Sequence, residues 1–345
     1  MHSNPTIAVY GAYGHTGRFV VAELLRRGLT PVLSGRDAGK LAAFGMAHPG
    51  LAIRAAAIDD PAALDHALQG AAAVINCAGP FASTAAPVID AALRARIPYL
   101  DVAAEIEANV DTFAHYADRA RDAGILVVPA MAFYGGLSDL LATVAMGDWT
   151  AADEISVAYA LSSWAPTAGT RAAGQVSRQR RGGRRLVFTE GQLAYRTEAA
   201  PPGEWAFPAP VGTQPVVTEF TMADSVTIPR HVKVPEIRTY MAAAAVKDLV
   251  NPDLAPPPAI DESGRSSQTF LVEVVVRSAG RERRAVASGR DIYAITAPLV
   301  VEAAVRAVDG RARATGVRAA GETFDSRDFL QSLAPQHLAL ALHAL

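Results

Sequence analysis

The sequence predicts an α/β fold: a doubly wound parallel sheet at the N-terminus, followed by a second α+β domain built on a mostly antiparallel sheet. Three observations carry this. Short apolar runs alternate with helical patterns through the first 130 residues. A glycine-rich turn, Gly11-Ala12-Tyr13-Gly14-His15-Thr16-Gly17, follows the first of those runs. Beyond residue 150 the pattern changes to period-two alternation interrupted by prolines.

Thr6–Tyr10 reads as a buried strand, and Gly17–Arg27 has apolar residues at helical spacing. Further strands are expected at Pro31–Ser34, Leu51–Ala57, Ala72–Asn76, Tyr99–Val102 and Ile125–Pro129. Helices are expected between them at Lys40–Ala47, Pro61–Gly70, Ala85–Arg96 and Asp111–Ala123. Strands joined by helical crossovers lie parallel and are covered on both faces, so their sequences run apolar throughout.

Leu137–Met146 is a helix, after which Glu154–Leu161, Arg185–Phe188, Gln192–Arg196 and Val216–Phe220 read as strands. Thr269–Ser278 and Glu282–Ser288 flank the turn Ala279-Gly280-Arg281 as a hairpin. Pro201–Pro210 and Pro256–Pro258 read as loops, and Ala297–Ala307 as a closing helix.

Half of the 345 residues are apolar and 19% are charged, the balance of a soluble globular protein. Only three of the 32 basic residues are lysines, a coding bias rather than a polyanion-binding surface. The net charge of −2 gives no reason to expect nucleic acid as a partner. A single cysteine, Cys77, excludes an internal disulfide framework, and no Cys/His spacing suits a metal. The first strand begins too early to leave room for a signal peptide, and no apolar run reaches the length of a membrane span. A cytoplasmic location is expected.

The glycine turn has G-x-x-G-x-x-G spacing between a strand and a helix. Gly11 allows the tight turn, Gly14 lets the backbone approach a pyrophosphate, and Gly17 lets helix and strand pack closely. The helix N-terminus then offers N–H groups and a positive dipole end to the phosphates. With Ala12, Tyr13, His15 and Thr16 these residues form the expected dinucleotide site of a Rossmann domain. The end of the second strand selects the cofactor. Where an NAD enzyme places an acid, this chain has Ser34-Gly35-Arg36 with Lys40 one turn later, a set suited to a 2′-phosphate and hence to NADP(H). Asp37 is expected to start the following helix.

Cys77, Ala78, Gly79 and Pro80, after the fourth strand, border the expected cofactor crevice, with Cys77 read as a small buried residue. Asp59 is a candidate for the adenine amino group or, alternatively, for capping the helix at Pro61. The expected divisions are 1–131 for the NADP-binding domain, 132–296 for a substrate and dimerisation domain, and 297–345 for a helix and tail that return to the first domain.

These motifs resemble the saccharopine-dehydrogenase-like oxidoreductases. The likeness rests on the glycine turn, Ser34-Gly35-Arg36 and Asn76-Cys77-Ala78-Gly79-Pro80-Phe81. It extends through Tyr99-Leu100-Asp101-Val102-Ala103-Ala104-Glu105, Pro129-Ala130-Met131-Ala132-Phe133-Tyr134, Ser138-Asp139-Leu140 and Thr167-Ala168-Gly169-Thr170-Arg171. The resemblance implies NADP(H) as hydride carrier and a second domain that carries the substrate site. It leaves open whether a C=N bond or, as in a related branch of trans-acting enoyl reductases, the C=C bond of a carrier-bound chain is reduced. Phe81 stands where the lysine-pathway enzymes carry tyrosine, and Tyr159-Ala160-Leu161-Ser162 lacks their cysteine and paired glycines.

Hydride transfer needs a nearby proton donor or acceptor. Asp101, at a strand end, is a candidate perturbed carboxyl or a turn-bonding residue. Tyr134 is a candidate proton donor or an aromatic shield for the nicotinamide. Arg171 is a candidate clamp for a substrate carboxylate or phosphate, or an exposed helix arginine. Glu105 and Asp139 read as caps or surface groups. Arg178, Arg180, Arg181, Arg184 and Arg185 form a basic patch able to receive a carrier-protein helix or a coenzyme A phosphate, unless they are a solvated turn. The second-domain sheet is a candidate homodimer surface. The rival to an enzyme is a non-catalytic NADP-sensing protein that keeps the phosphate loop alone.

Overall fold

The alternation expected over the first 130 residues is present in the computed structural model, which describes residues 4–312 and 314–342. β1 (Thr6–Tyr10), α1 (His15–Arg26), β2 (Thr30–Gly35), α2 (Ala38–Met46), β3 (Ile53–Ala55) and α3 (Pro61–Leu68) come first. β4 (Ala73–Asn76), α4 (Phe81–Ala95), β5 (Tyr99–Asp101), α5 (Ile106–Ala123) and β6 (Leu126–Val128) complete the alternation. The middle of the chain holds α6 (Ser138–Met146), β7 (Glu154–Leu161), α7 (Ala168–Arg180), β8 (Arg185–Thr189), β9 (Gln192–Arg196), β10 (Pro202–Ala206) and β11 (Thr213–Val217). Then follow α8 (Asp224–Thr227), β12 (Ile237–Ala242), α9 (Ala243–Val250), β13 (Thr269–Ser278) and β14 (Arg281–Arg290). The chain ends with α10 (Ile292–Val308), β15 (Gly316–Val317), α11 (Ala320–Thr323), α12 (Ser326–Leu333) and β16 (Leu338–Leu342).

Contacts divide the chain into two units: Met1–Ala132 with Thr296–Arg318, and Phe133–Ile295 with Ala319–Leu345. The segment after residue 297 therefore does not all return to the first unit. Its later part, with β16 paired to β14, belongs to the second.

Among the described residues of the first unit, seven parallel strands lie in the order β15-β6-β5-β4-β1-β2-β3. The order reverses between β1 and β4, the switch point at which such sheets bind ligands. Ile7, Ala8, Val9, Val74, Ile75 and Leu100 are almost wholly buried, as strands covered on both faces require. Inside this unit Glu302 of α10 accepts hydrogen bonds from Arg27 and from Arg306 Nε, fastening α10 to α1.

The second unit is a mixed sheet in the order β10-β11-β12-β7-β13-β14-β16, with β8 and β9 joined at β12. Its described pairings are antiparallel except for β12 with β7. The hairpin β13–β14 turns at Ala279 and Gly280, both at positive φ (50° and 72°). Residues 201–210, read from the sequence as loop, contain β10. Its one proline, Pro202, is its first residue and sits at the sheet edge, a position that tolerates a missing N–H. Alternate residues of β13 point to opposite faces. On one face Ala158, Ala160, Val216, Leu271 and Val286 form a core covered by Phe207 and Trp205. Trp205 Nε1 donates to the fully buried Glu273 at 2.8 Å, which also accepts from Arg284.

Candidate functional site

The glycine turn has the geometry its spacing implies. Gly11 has φ +85°, and a Cβ there would stand 2.9 Å from the Ala78 nitrogen. A Cβ on Gly17 would lie 2.2 Å from the Gly11 carbonyl oxygen, so helix and turn meet only because position 17 is glycine. Gly14 differs: its φ of −67° and ψ of 166° suit any residue, and a Cβ would approach the Gly11 oxygen to only 3.1 Å. Its lack of a side chain serves the open space in front of α1, whose N-terminus no side chain caps. A cofactor pyrophosphate fits there.

Ala12 is not a phosphate donor. It is fully buried, and its amide, like that of Gly11, donates to the Ser34 carbonyl, at 3.1 Å and 2.8 Å respectively. Tyr13, His15 and Thr16 are partly exposed around the open helix end. Arg18, which the sequence reading passed over, donates from Nε to the Tyr13 carbonyl and steadies the turn.

At the end of β2 the Tyr13 ring lies over Gly35, where a Cβ would come within 2.9 Å of Cε1. Arg36 is exposed and makes no salt bridge among the described residues. Asp37 caps α2 by accepting from the Lys40 amide, and its carboxylate draws the Lys40 ammonium to 3.7 Å. Arg36 is thus the stronger candidate anion partner of the two. Ser34 is wholly buried; its hydroxyl has no hydrogen-bond partner among the described residues, and its carbonyl anchors the turn. The cap of α3 is Asp60, which accepts from the Ala63 amide, so Asp59 stays exposed and takes no part in that cap.

Beyond β4 a chain of hydrogen bonds grips the next loop. Asn76 Oδ1 accepts from the Ala78 amide at 3.0 Å, and Asn76 Nδ2 donates to the Tyr99 hydroxyl at 3.1 Å. Tyr99 donates to Asp101 Oδ2 at 2.9 Å. Asp101 Oδ1 accepts from the amides of Ala103 and Ala130, at 3.0 Å and 2.8 Å. Thr84 donates to the Ala78 carbonyl. Asp101 is 1% exposed, and burial pushes its carboxyl up to about 6 against the lowering effect of its three donors. It is a buried acceptor engaged by three donors of the fold. Ala130, held by it, takes the left-handed φ of 55°. Cys77 is half-buried, and burial pushes its thiol up, so it is a poor nucleophile. Gly79 and Pro80 lie beside it, with Gly79 exposed. Glu105 accepts from the amides of Phe81 and Ala82 and so caps α4.

In the second unit Tyr134 lies in a kinked turn, Phe133–Leu137, in which Gly135 has φ 95°. Its ring packs 5.2 Å from Tyr159 and 5.1 Å from Trp164. The phenol is buried with no hydrogen-bond partner among the described residues, and burial holds its pKa well above the ordinary range. Beside it Asp224, which the sequence reading did not single out, accepts from Ser138, from the Tyr159 hydroxyl at 2.9 Å and from the Gly135 amide at 3.1 Å. Burial pushes Asp224 up to about 6. No spacing signal marks this cluster, because 65 residues separate Tyr159 from Asp224.

Arg171 is no clamp. Its Nη2 donates to the carbonyls of Asn251 and Leu254 at 3.0 Å and 2.8 Å, tying down a loop. Asp139 is fully buried, bonded to His231 Nε2 at 2.7 Å and accepting from the Gly321 amide at 2.8 Å. In the arginine patch Arg185 pairs with Glu219, Arg184 lies over the Tyr195 ring, and Arg178 and Arg180 are exposed. Among the described residues no group of three His, Cys, Asp or Glu side chains is placed to hold a metal. None of the described helices is long and apolar enough to cross a membrane.

Comparison with known proteins agrees with this geometry. Residues 7–128 match the saccharopine dehydrogenase NADP binding domain. A probable mitochondrial saccharopine dehydrogenase-like oxidoreductase of Arabidopsis thaliana is 33% identical over 142 residues, 37% of this chain and 31% of that protein. The human saccharopine dehydrogenase-like oxidoreductase is 29% identical over 152 residues, 39% of this chain and 35% of that protein. The chain thus spans about a third of the length of these relatives. The structure of saccharopine dehydrogenase (L-Glu forming) from Saccharomyces cerevisiae shares the fold, with a TM-score of 0.66 over 99% of this chain and 100% of that one, at 12% identity. The first unit is accordingly an NADP-binding domain of the saccharopine dehydrogenase type.

Proposed function

We propose that this chain, with a saccharopine-dehydrogenase-type NADP-binding domain at its N-terminus, is an NADP(H)-dependent oxidoreductase. Its reaction is hydride transfer to a C=N or activated C=C bond of a metabolic intermediate, free or carrier-bound. The observation that carries the reading is the pairing of an uncapped helix start behind Gly14 with Arg36, exposed and without a salt bridge among the described residues, at the end of β2. The first suits a pyrophosphate and the second a 2′-phosphate.

Bound there, the nicotinamide supplies the hydride, and the protein supplies orientation and proton handling. Gly11, Gly14 and Gly17 shape the phosphate cradle, and Tyr13 and Arg36 flank the adenosine end. Asp59, free of capping duty, is a candidate partner for the adenine amino group. Tyr134 is the candidate proton donor: burial keeps its phenol protonated, the state a donor needs, and the hydroxyl has no protein acceptor among the described residues. A homodimer through the second-unit sheet is part of this proposal.

A second reading, an NADP-sensing protein without turnover, is favoured by one observation. Asp101 and Arg171 are both committed to holding the fold. Fluorescence titration with NADPH and NADH, for the wild type and Arg36→Asp, tests the cofactor reading, with a preference for NADPH of about tenfold or more expected and lost in the variant. NADPH consumption at 340 nm with cyclic imines and enoyl thioesters then separates the two readings. Tight NADPH binding with no turnover on either class would favour the sensor.

A further inference from the structure

We propose that Asp101 is a positioning residue for the cofactor loop: through Tyr99 and Asn76 it fixes the Ala78 peptide against the glycine turn, and it does so in its ionised form. The inference rests on the NADP(H) reading of the first unit.

The hydrogen bonds have a direction. Asp101 receives three donors and offers none, the amides of Ala103 and Ala130 on Oδ1 and the Tyr99 hydroxyl on Oδ2, the arrangement that suits an ionised carboxylate. Because Tyr99 spends its own hydrogen on Asp101, its oxygen is free to accept from Asn76 Nδ2. That bond orients the Asn76 amide so that Oδ1 accepts from the Ala78 amide. Thr84 holds the other side of the same residue by donating to its carbonyl. Ala78 is therefore gripped at both ends, where its backbone lies against Gly11.

Protonation of Asp101 would reverse this order. The carboxyl hydrogen would occupy Oδ2, since Oδ1 already takes two amides. Tyr99 would then donate to a weaker, protonated oxygen or turn its hydrogen away, in a fully buried site where either change costs free energy. The disturbance reaches Asn76 and then Ala78. The titratable groups facing Asp101 are Tyr99 on its own strand, Cys77 at the end of β4 and Glu105 in the following loop. The amides come from Ala103 and, beyond β6, from Ala130. Burial places the carboxyl at about 6, so the change falls within an accessible pH range.

The test is NADPH fluorescence titration of the full chain from pH 5 to 8 for the wild type, Asp101→Asn and Tyr99→Phe, with thermal unfolding as a check of folding. The nucleotide's own 2′-phosphate titrates alike in every sample, so the difference between profiles reports the protein. Asp101→Asn should bind about fivefold or more weakly at pH 7.5. The wild-type Kd should rise about fivefold more than that of the variant between pH 7.5 and 5. Tyr99→Phe should weaken binding and flatten the profile in the same way. Absence of NADPH binding by the wild type would overturn the cofactor reading and this inference with it. Binding by the wild type, with folded variants matching its affinity and pH profile, would overturn the positioning role alone. Should Asp101→Asn not fold, Tyr99→Phe decides on the same two readouts.

Discussion

Glu105 Oε1 lies 2.6 Å from the Phe81 amide nitrogen, and its second oxygen lies 3.1 Å from that of Ala82, so the loop after β5 caps the first turn of α4. Pro80 occupies the N-cap position of that helix and has no side chain able to do this. The cap therefore comes from 24 residues away. Glu105→Ala should cost about 1–2 kcal/mol, the usual worth of an N-cap acceptor, read as a lower urea midpoint at unchanged m-value.

Gly14 and Gly17 should part company on replacement by alanine. Gly17→Ala sets a Cβ 2.2 Å from a backbone oxygen and should cost about 3 kcal/mol or prevent folding. Gly14→Ala meets only a 3.1 Å contact and should keep its stability within about 1 kcal/mol. It should nevertheless lose NADPH affinity, because the added methyl stands in the phosphate approach. Paired melting and fluorescence titrations check both outcomes.

The Asp139–His231 pair should make stability depend on pH. Burial alone would lower the His231 pKa, but the Asp139 carboxylate, by charge and hydrogen bond, and Glu322 raise it above its ordinary 6.5. A histidine raised in the folded state adds stability that is fully present below about 6.5 and is lost as pH rises through its folded value. Denaturant unfolding at successive pH values should show this decline in the wild type and not in His231→Gln. His231→Ala, which among the described residues leaves a fully buried carboxylate with the Gly321 amide alone, should cost about 3 kcal/mol.

Arg171→Ala should separate a structural role from a substrate-binding one. With two carbonyls of the 251–254 loop released, stability should fall by about 1–2 kcal/mol and proteolysis within that loop should quicken. NADPH affinity should stay within about twofold of the wild type. A rise in KM with unchanged stability would instead restore Arg171 as a clamp.

The first unit was legible because its signals are local. Strand, turn and helix from Thr6 to Arg26 are contiguous, and the steric demand written into Gly17 is met by Gly11 and Ala12 of the same turn. Strand β7 and the β13–β14 hairpin were equally plain from alternation and turn residues. β12 and β16 were missed, since each is a short edge or paired segment whose pattern gains meaning only beside its partner. Polar residues were the least legible. Asp101 and Arg171 look the same in sequence whether they face a ligand or a backbone group, and Asp224 has no motif around it.

The sequence by itself determined that a dinucleotide-binding parallel sheet begins this chain and that a cation rather than an acid ends its second strand. Both follow from backbone sterics and charge acting over a few residues. Only the tertiary structure decided what the buried polar residues do, because a carboxylate's role depends on which donors the fold brings to it. It gave Asp101 to Tyr99 and Ala130, Asp139 to His231, and Asp224 to Tyr159, pairings of which two span more than 60 residues.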